Sequence, residues 1–299
     1  MKEIVVLSGK GGTGKTSIAA VFATLMNKPV VVDCDVDAAN LHLLLCPVIE
    51  ETYDFVEGAK ARVDAAACTG CGQCIEACRF DAIHLIQGVA TVDMMHCEGC
   101  AVCARICSED AISLKPQLCG KWFLSHTKNG PMVYARLGPG QDNSGKQVSS
   151  LRGLAKAIAR QDGASWILVD GPPGTGCPVI SSLTGVDYVV MVTEPTMSGF
   201  ADLKRTIAVA DHFHVPVGIV INKEDINADV AARIEGYAAQ TGRDSLGRIG
   251  YDPAFTRAQL SETSVLEEAS ASLRGQLKDL WSAVEHAVLK KGSPFTQLQ

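Results

Sequence analysis

Two groups of residues in this chain have types and spacing suited to chemistry. The first is a glycine-rich string near the start that satisfies G-x-x-x-x-G-K-[ST] and reads Gly9-Lys10-Gly11-Gly12-Thr13-Gly14-Lys15-Thr16. Its glycines let backbone N–H groups approach a phosphate chain without a Cβ in the way. Lys15 would reach the β- and γ-phosphates, and the Thr16 hydroxyl would ligate Mg²⁺. The string predicts a nucleotide site with candidate ligands from Gly9 to Ser17.

The second group is a run of cysteines within an internal repeat. The pattern Cys-x-Gly-Cys-x-x-Cys-x-x-x-Cys-x-x-Asp-Ala-Ile-x-Leu occurs at Cys68–Leu85 and again, 29 residues later, at Cys97–Leu114. Each copy has the Cys-x₂-Cys-x₂-Cys-x₃-Cys spacing of bacterial two-cluster ferredoxins. A unit this short, seen twice, indicates a duplicated motif rather than a solenoid.

The spacing predicts two [4Fe-4S] clusters, because in such runs the fourth cysteine of each copy ligates the other cluster. The expected sets are Cys68, Cys71, Cys74 and Cys107 for the first cluster, and Cys97, Cys100, Cys103 and Cys78 for the second. A pair of structural zinc sites is the alternative, since zinc uses the same Cys-x₂-Cys unit. Ferredoxin runs usually end in Cys-Pro, whereas Arg79 and Ser108 follow the fourth cysteines here.

Acidic and amide side chains follow three segments that have the composition of buried strands. Asp33, Asp35 and Asp37 come at the end of an apolar run, Asp170 ends the strand predicted from Trp166, and Asn222 closes the strand predicted from Val217. An acid at a strand end beside such a glycine-rich loop is placed to hold Mg²⁺ through water, as expected of Asp170.

The elements that must position these residues alternate between strand and helix. Strands are predicted at Glu3–Leu7 and Pro29–Asp33 around a helix at Ser17–Met26, and the same rhythm resumes after the cysteines, so we expect an α/β fold with a mostly parallel sheet. The predicted organisation is a nucleotide domain in two parts, 1–63 and 117–299, with a small α+β ferredoxin-like insert at 64–116. Gly138–Ser149 is predicted as a polar connection, and Val265–Lys290 as one amphipathic helix.

The composition and charge of the chain argue against nucleic-acid binding and against a membrane span. The 299 residues carry a net charge of −6 without a long Lys/Arg run, so sequence-independent nucleic-acid binding is not expected. No segment reaches the roughly 18 consecutive apolar residues that a membrane span needs. The mixed charge of Val265–Lys290 favours a docking helix over a membrane-surface helix. Cysteines at metal-ligand spacing and the lack of a signal sequence favour a cytoplasmic location.

The second lysine of the glycine-rich string, Lys10, makes it resemble the deviant P-loop of the MinD, ParA, Mrp and nitrogenase-iron-protein class. In that class the early lysine crosses to the nucleotide of a partner subunit, so the resemblance implies an ATP-dependent homodimer in which Lys10 acts in trans. It also implies that Asp33 lies near Mg²⁺ and that Asp35 orients the attacking water, with Asp37 as a competitor for that role.

Two further segments are similar to the same class. The string Asp-Gly-Pro-Pro-Gly-Thr-Gly from Asp170 resembles the Mrp branch, which usually continues with Asp where this chain has Cys177. A residue at the position of Asn222 reads the base in MinD-like proteins, and its carboxamide matches the adenine edge. The following Lys-Glu-Asp leaves GTP as an alternative to ATP.

Taken over most of the chain, the resemblance is to a MinD-superfamily ATPase with an inserted ferredoxin domain. It implies ATP or ADP, Mg²⁺ and two [4Fe-4S] clusters as cofactors, catalytic roles for Lys10, Lys15 and Asp35, and a redox or iron–sulfur protein as partner. Three uses of the ATP cycle remain open: coupling to electron transfer, iron–sulfur cluster assembly or carriage, and intracellular positioning with the clusters as a sensor.

Overall fold

A computed structural model describes residues 1–138 and 144–291. The chain divides into two compact units: the first comprises Met1–Thr52, Trp122–Arg136 and Asp142–Gln299, and the second comprises Tyr53–Lys121 and Leu137–Gln141. Within the described residues, no helix has the length and apolar character needed to cross a bilayer.

Eleven strands are described in those residues. In chain order they are β1 (Lys2–Ser8), β2 (Val30–Asp33), β3 (Val48–Val63), β4 (Ile83–Ile86), β5 (Val89–Val92), β6 (Ile112–Thr127), β7 (Gly130–Leu137), β8 (Trp166–Pro173), β9 (Tyr188–Thr193), β10 (Val217–Asn222) and β11 (Asp244–Ile249).

The described helices lie mainly between these strands. They are α1 (Lys15–Leu25), α2 (Leu41–Leu45), α3 (Gln73–Glu76), α4 (Val102–Ile106), α5 (Gly145–Asp162), α6 (Cys177–Leu183), α7 (Met197–His212), α8 (Ala228–Gln240), α9 (Ala254–Leu260), α10 (Val265–Glu268) and α11 (Ala271–Lys291), with 3₁₀ turns at Val36–Ala38 and Glu224–Ile226.

One large sheet has the strand order β11-β10-β9-β1-β8-β2-β7-β6-β3. All pairings from β11 to β7 are parallel. The central strands are mostly apolar and almost entirely buried, as expected where helices cover both faces of a parallel sheet. The predicted α/β class with a mostly parallel sheet is therefore confirmed.

The C-terminal segment packs into the core of the first unit. Leu277 and Val284 of α11 are fully buried, and the ring of Trp281 lies 5.4 Å from that of Phe22 in α1. The prediction of a single helix from Val265 to Lys290 is wrong. The backbone is extended at Ala269, and the Ser270 hydroxyl then accepts a hydrogen bond from the Leu273 N–H (3.2 Å), which starts a new helix.

The connection before β8 also differs from its prediction. Helix α5 begins at Gly145, inside the segment predicted to be irregular, because the Ser144 hydroxyl accepts a hydrogen bond from the Gln147 N–H (3.1 Å) and caps the helix. Residues 139–143 of that prediction lie outside the described residues.

The second unit contains the cysteine repeat, and its hydrogen bonds follow the repeat. The Asp64 N–H donates to the Ala111 carbonyl, and the Asp93 N–H donates to the Ala82 carbonyl, both at 2.7 Å. Each bond therefore runs from one copy of the repeat to the other. Asp64 and Asp93 are themselves 29 residues apart, so the structural repeat begins four residues before the first cysteine of each copy.

The predicted insert, 64–116, lies within the second unit, whose limits fall instead inside β3 and β6. Each of these strands has 16 residues and continues across a unit boundary. The sequence did not indicate β3, because most of its residues are exposed and it lacks a long apolar pattern.

A first prediction concerns the glycines of the repeat. Gly99 has a positive φ, and a Cβ there would lie 1.9 Å from the Ala59 carbonyl oxygen, so Gly99→Ala should destabilise the second unit by about 3 kcal/mol. Gly72→Ala is the matched control, because a Cβ there meets nothing within 4 Å, and Ala101 already occupies the equivalent position of the other copy. The control should cost only about 1 kcal/mol. Chemical unfolding of anaerobically purified protein measures both; equal losses would contradict the steric argument.

Candidate functional site

The glycine-rich loop joins β1 to α1 and borders a pocket of about 590 Å³. Gly14 adopts a left-handed conformation (φ 88°), and a Cβ on it would lie 2.3 Å from Asn222 Nδ2. That amide nitrogen donates to the Thr13 carbonyl at 2.8 Å. Glycine at this position therefore lets the end of β10 hold the loop closely.

The pocket brings together most of the predicted nucleotide ligands. Its lining contains Gly11, Gly12, Thr13, Gly14, Lys15, Thr16 and Ser17, together with Asp35, Asp37 and Asn222. Gly9 and Lys10 are not in this lining, and Lys10 pairs instead with Glu194.

A buried cluster of charges lies beneath the pocket. Lys15 Nζ lies 2.7 Å from Asp170 Oδ1 and 3.2 Å from Asp35 Oδ2. Asp33, the last residue of β2, belongs to the same cluster because it pairs in register with Asp170 of the parallel strand β8. Asp170 does not end its strand as predicted, since β8 continues to Pro173. Lys15, Asp33, Asp35 and Asp170 are all at least nine-tenths buried.

Three carboxylates share one ammonium in this cluster, and the titration of the groups reflects the imbalance. Burial, reinforced by the charge of Asp170, raises the pKa of Asp33 well above its ordinary value. Burial also raises the pKa of Asp35, although Lys15 opposes that shift. Burial lowers the pKa of Lys15, but Asp170 and Asp35 outweigh it and raise that pKa overall. The carboxyl groups of the cluster therefore outnumber its ammonium groups, and a bound proton or cation relieves their repulsion.

Some polar atoms in this cluster have no hydrogen-bond partner. The second carboxylate oxygen of Asp170 and the Thr13 hydroxyl are buried and unsatisfied. The Asp33 carboxylate, in contrast, accepts the N–H groups of Asp35 (3.1 Å) and Leu41 (3.2 Å). Unsatisfied buried oxygen atoms beside excess negative charge are the arrangement that a divalent cation would complete.

Two small pockets in the second unit are lined by cysteines. One contains Cys68, Cys71, Cys74 and Cys107, and the other contains Cys78, Cys97, Cys100 and Cys103. Each pocket thus combines three cysteines of one copy of the repeat with the last cysteine of the other copy.

The loops around these cysteines turn sharply. Gly70, Gly72, Gly99 and Ala101 all have positive φ, and these four positions correspond in pairs between the two copies. The Ala90 N–H donates to Cys68 Sγ at 3.5 Å. Within residues 1–138 and 144–291, however, no three His, Cys, Asp or Glu side chains converge closely enough to hold a single metal ion.

Comparison with known proteins identifies the family of the chain. The sequence profile of the CobQ/CobB/MinD/ParA nucleotide binding domain matches residues 4–265. The chain belongs to this family. It is 35% identical over 237 residues to the uncharacterized protein MJ0578 of Methanocaldococcus jannaschii, covering 75% of this chain and 79% of that protein.

Two further proteins are similar to this member of the CobQ/CobB/MinD/ParA family. The uncharacterized protein MJ0579 of the same organism is 29% identical over 258 residues, covering 76% of this chain and 82% of that protein. The septum site-determining protein MinD of Pyrococcus horikoshii, solved with Mg-ADP, has a TM-score of 0.56 and 18% identity, covering 97% of this chain and 98% of that one. The latter similarity concerns the fold alone.

The nucleotide pocket of this family member also contains residues that sequence reasoning missed. Tyr251, Asp252, Phe255, Thr256 and Gln259 line it from the segment after β11 and from α9. Only two residues of strand β11 are buried, and they are three residues apart, so the sequence shows neither the alternation nor the apolar run that predicts a strand. Because ligands bind beyond the carboxyl ends of parallel strands, the end of β11 would have pointed to these residues.

A second prediction follows from the charge imbalance. Lys15→Ala removes the ammonium that pairs with Asp35 and Asp170, so metal- and nucleotide-free protein should lose about 3 kcal/mol of unfolding free energy at neutral pH. The raised pKa values of Asp33 and Asp35 mean that the folded protein holds these protons more tightly than the unfolded chain. Their contribution to stability is therefore present at low pH and is lost as the pH rises through the folded pKa.

The loss caused by Lys15→Ala should therefore be smaller at about pH 5 than at about pH 8. Urea unfolding at both pH values measures this difference. Lys128→Ala is the control, since that exposed lysine pairs with Glu267 at 3.7 Å and its removal should change little. A loss for Lys15→Ala that does not depend on pH would contradict the charge argument.

Proposed function

We propose that this protein is a Mg²⁺-dependent ATPase whose nucleotide cycle is coupled to two [4Fe-4S] clusters in its second unit. The observation that carries the proposal is the presence of both parts in one chain. A nucleotide pocket stands above a buried cluster of lysine and carboxylates, and two separate pockets are each lined by four cysteines.

The chemistry proposed for the nucleotide site is positioning and charge stabilisation. Loop amides and Lys15 would bind the β- and γ-phosphates, and Asp35, which lines the pocket, would orient the attacking water. Lys15 now pairs with Asp35 and Asp170, so bound phosphates would compete with these carboxylates for the ammonium. Release of Asp35 from Lys15 would then make its carboxylate available to the water.

The side chains of the glycine-rich loop and of the buried charge cluster fit a magnesium ion. Thr16, Asp33 and Asp170 would hold Mg²⁺, directly or through water, and the ion would neutralise charge that develops on the phosphates. The unsatisfied oxygen of Asp170 and the excess negative charge of the cluster support this assignment. Asn222 is proposed to contact the base, although its amide nitrogen is engaged by the Thr13 carbonyl.

The residues present also fit iron–sulfur clusters. Four thiols surround each pocket, and the cross-copy sets correspond to the ligation of two-cluster ferredoxins. A four-iron cube separates its ligands instead of gathering them on one ion, which is compatible with the absence of a single-ion site among the described residues. Such clusters would supply one-electron transfer. We further propose an ATP-dependent homodimer, in which Lys10 acts in trans, and a redox or iron–sulfur protein as partner.

A third prediction tests the cross-copy ligand sets. Cys107→Ser should remove or alter the cluster of the pocket that contains Cys68, and iron in anaerobically purified protein should fall from about eight to about four atoms per chain. Cys78→Ser should affect the other cluster in the same way. Cys46→Ser is the control, because Cys46 lies outside both pockets.

Iron and sulfide analysis with EPR of the reduced protein measures these outcomes. If Cys107→Ser spared the EPR signal that is lost in Cys68→Ser, the cross-copy assignment would be wrong. Wild-type protein that contained zinc and no iron would overturn the cluster proposal.

A fourth prediction tests coupling between nucleotide and clusters. A redox titration followed by EPR, with and without Mg-ATP, should show a shifted midpoint potential, because a nucleotide that favours one oxidation state must move the potential. A shift of about 60 mV corresponds to a tenfold difference in nucleotide affinity between the two oxidation states. Lys15→Ala is the matched control, as it should retain the clusters and lose the shift.

Unchanged potentials would mean that nucleotide binding does not depend on the oxidation state of the clusters, and would reject redox coupling. Two other uses of ATP then make different predictions. A cluster carrier would transfer iron–sulfur clusters to an apo acceptor, and a positioning ATPase would bind a surface in an ATP-dependent manner.

A further inference from the structure

One carboxylate close to the glycine-rich loop has no role in the chemistry proposed so far. Glu194 lies in the loop between β9 and α7, and its Oε1 is 2.5 Å from Lys10 Nζ. Its other carboxylate oxygen is 3.6 Å from Lys223 Nζ. The side chain of Glu194 is only 14% exposed, so a largely buried carboxylate lies between two lysines of the same protomer.

Lys10 has further partners in the same loop. Its ammonium donates to the Thr196 hydroxyl at 3.4 Å and to the Ser198 hydroxyl at 3.3 Å. An ammonium has three N–H donors, and Glu194, Thr196 and Ser198 together offer three acceptors. All the hydrogen-bonding capacity of Lys10 is therefore directed at its own protomer.

The position of Glu194 is fixed by its own backbone. Its carbonyl accepts the Thr196 N–H at 2.8 Å, and a Cβ on Gly199 would lie 2.6 Å from that carbonyl oxygen. The Thr196 hydroxyl also accepts the Gly199 N–H at 3.0 Å and caps α7. The acceptors that meet Lys10 thus belong to a closely packed helix start.

Lys223 connects this carboxylate to the nucleotide pocket. Its ammonium donates to the Gly12 carbonyl at 2.9 Å while it lies beside Glu194. If Lys10 moved away, Glu194 would keep Lys223 as a counter-ion and would not become a buried unpaired charge. The contact with Lys10 can therefore break at limited cost, as a reversible switch requires.

We propose that Glu194 is a positioning residue that holds Lys10 within its own protomer and opposes its transfer to the nucleotide of a second copy. This inference rests on the proposed homodimer in which Lys10 acts in trans. Lys10 cannot satisfy Glu194 and a distant phosphate at once. Only a protomer whose Lys10 is released can offer that lysine to a second copy. The apparent affinity of dimerisation therefore rises with the fraction of protomers in which Lys10 is released.

The contact within one protomer is tested without nucleotide. Trace labelling of lysine amines with acetic anhydride, read by mass spectrometry, should modify Lys10 about fivefold faster in Glu194→Gln than in wild type, because a charge-assisted hydrogen bond is lost. Glu267→Gln makes the same change of charge at an exposed site and should leave the rate at Lys10 unchanged. Glu194→Asp keeps the charge but shortens its reach, so it should also speed labelling.

The effect on assembly is measured by sedimentation with Mg-AMPPNP. Glu194→Gln should lower the dimer dissociation constant about tenfold, whereas Glu267→Gln should not change it. Thermal unfolding of each variant, followed by circular dichroism, verifies that the protein compared is folded.

The two measurements separate this inference from the function on which it rests. Faster labelling together with tighter dimerisation supports the role of Glu194. Unchanged labelling of Lys10 overturns it, whatever the assembly state. Faster labelling with an unchanged dimer constant also overturns it, because the contact would not restrain transfer. Absence of dimers in every variant, wild type included, would reject the homodimer, while labelling would still decide whether Glu194 holds Lys10.

Discussion

The charge cluster of the first unit depends on like charges being placed together on neighbouring parallel strands. Asp33 at the end of β2 pairs in register with Asp170 of β8, so the sheet itself brings two buried carboxylates side by side. Lys15 Nζ compensates them only in part, and the raised pKa values of Asp33 and Asp35 record the remaining imbalance. Such an arrangement is unfavourable without a further cation, and the magnesium ion proposed here would relieve the repulsion.

Both lysines of the glycine-rich loop are paired with carboxylates. Lys15 faces Asp35 and Asp170 beneath the pocket, while Lys10 faces Glu194 beside it. In the proposed nucleotide site, phosphates would therefore replace these carboxylates as the counter-ions of the two lysines. A ligand proposed to bind these lysines would have to interact with them more strongly than the carboxylates do.

In the second unit, the duplication of a short motif determines how the chain is paired. The reciprocal bonds from Asp64 to Ala111 and from Asp93 to Ala82 join the two copies, so neither copy completes its hydrogen bonding alone. The same exchange appears in the pockets, each of which takes one cysteine from the opposite copy. Insertion through the long strands β3 and β6 lets this unit interrupt the chain of the nucleotide domain without breaking the parallel core.

The sequence by itself determined the parallel core, the glycine-rich loop and the two cysteine sets, because each depends on local spacing or on uniformly apolar runs. It did not reveal β3, whose residues are mostly exposed, or the break at Ala269, where a serine cap outweighs helical periodicity. Only the tertiary structure decided that Lys10 faces Glu194 and that Tyr251 and Gln259 border the pocket. These contacts join residues far apart in the chain, and no local pattern encodes which distant strand ends become neighbours.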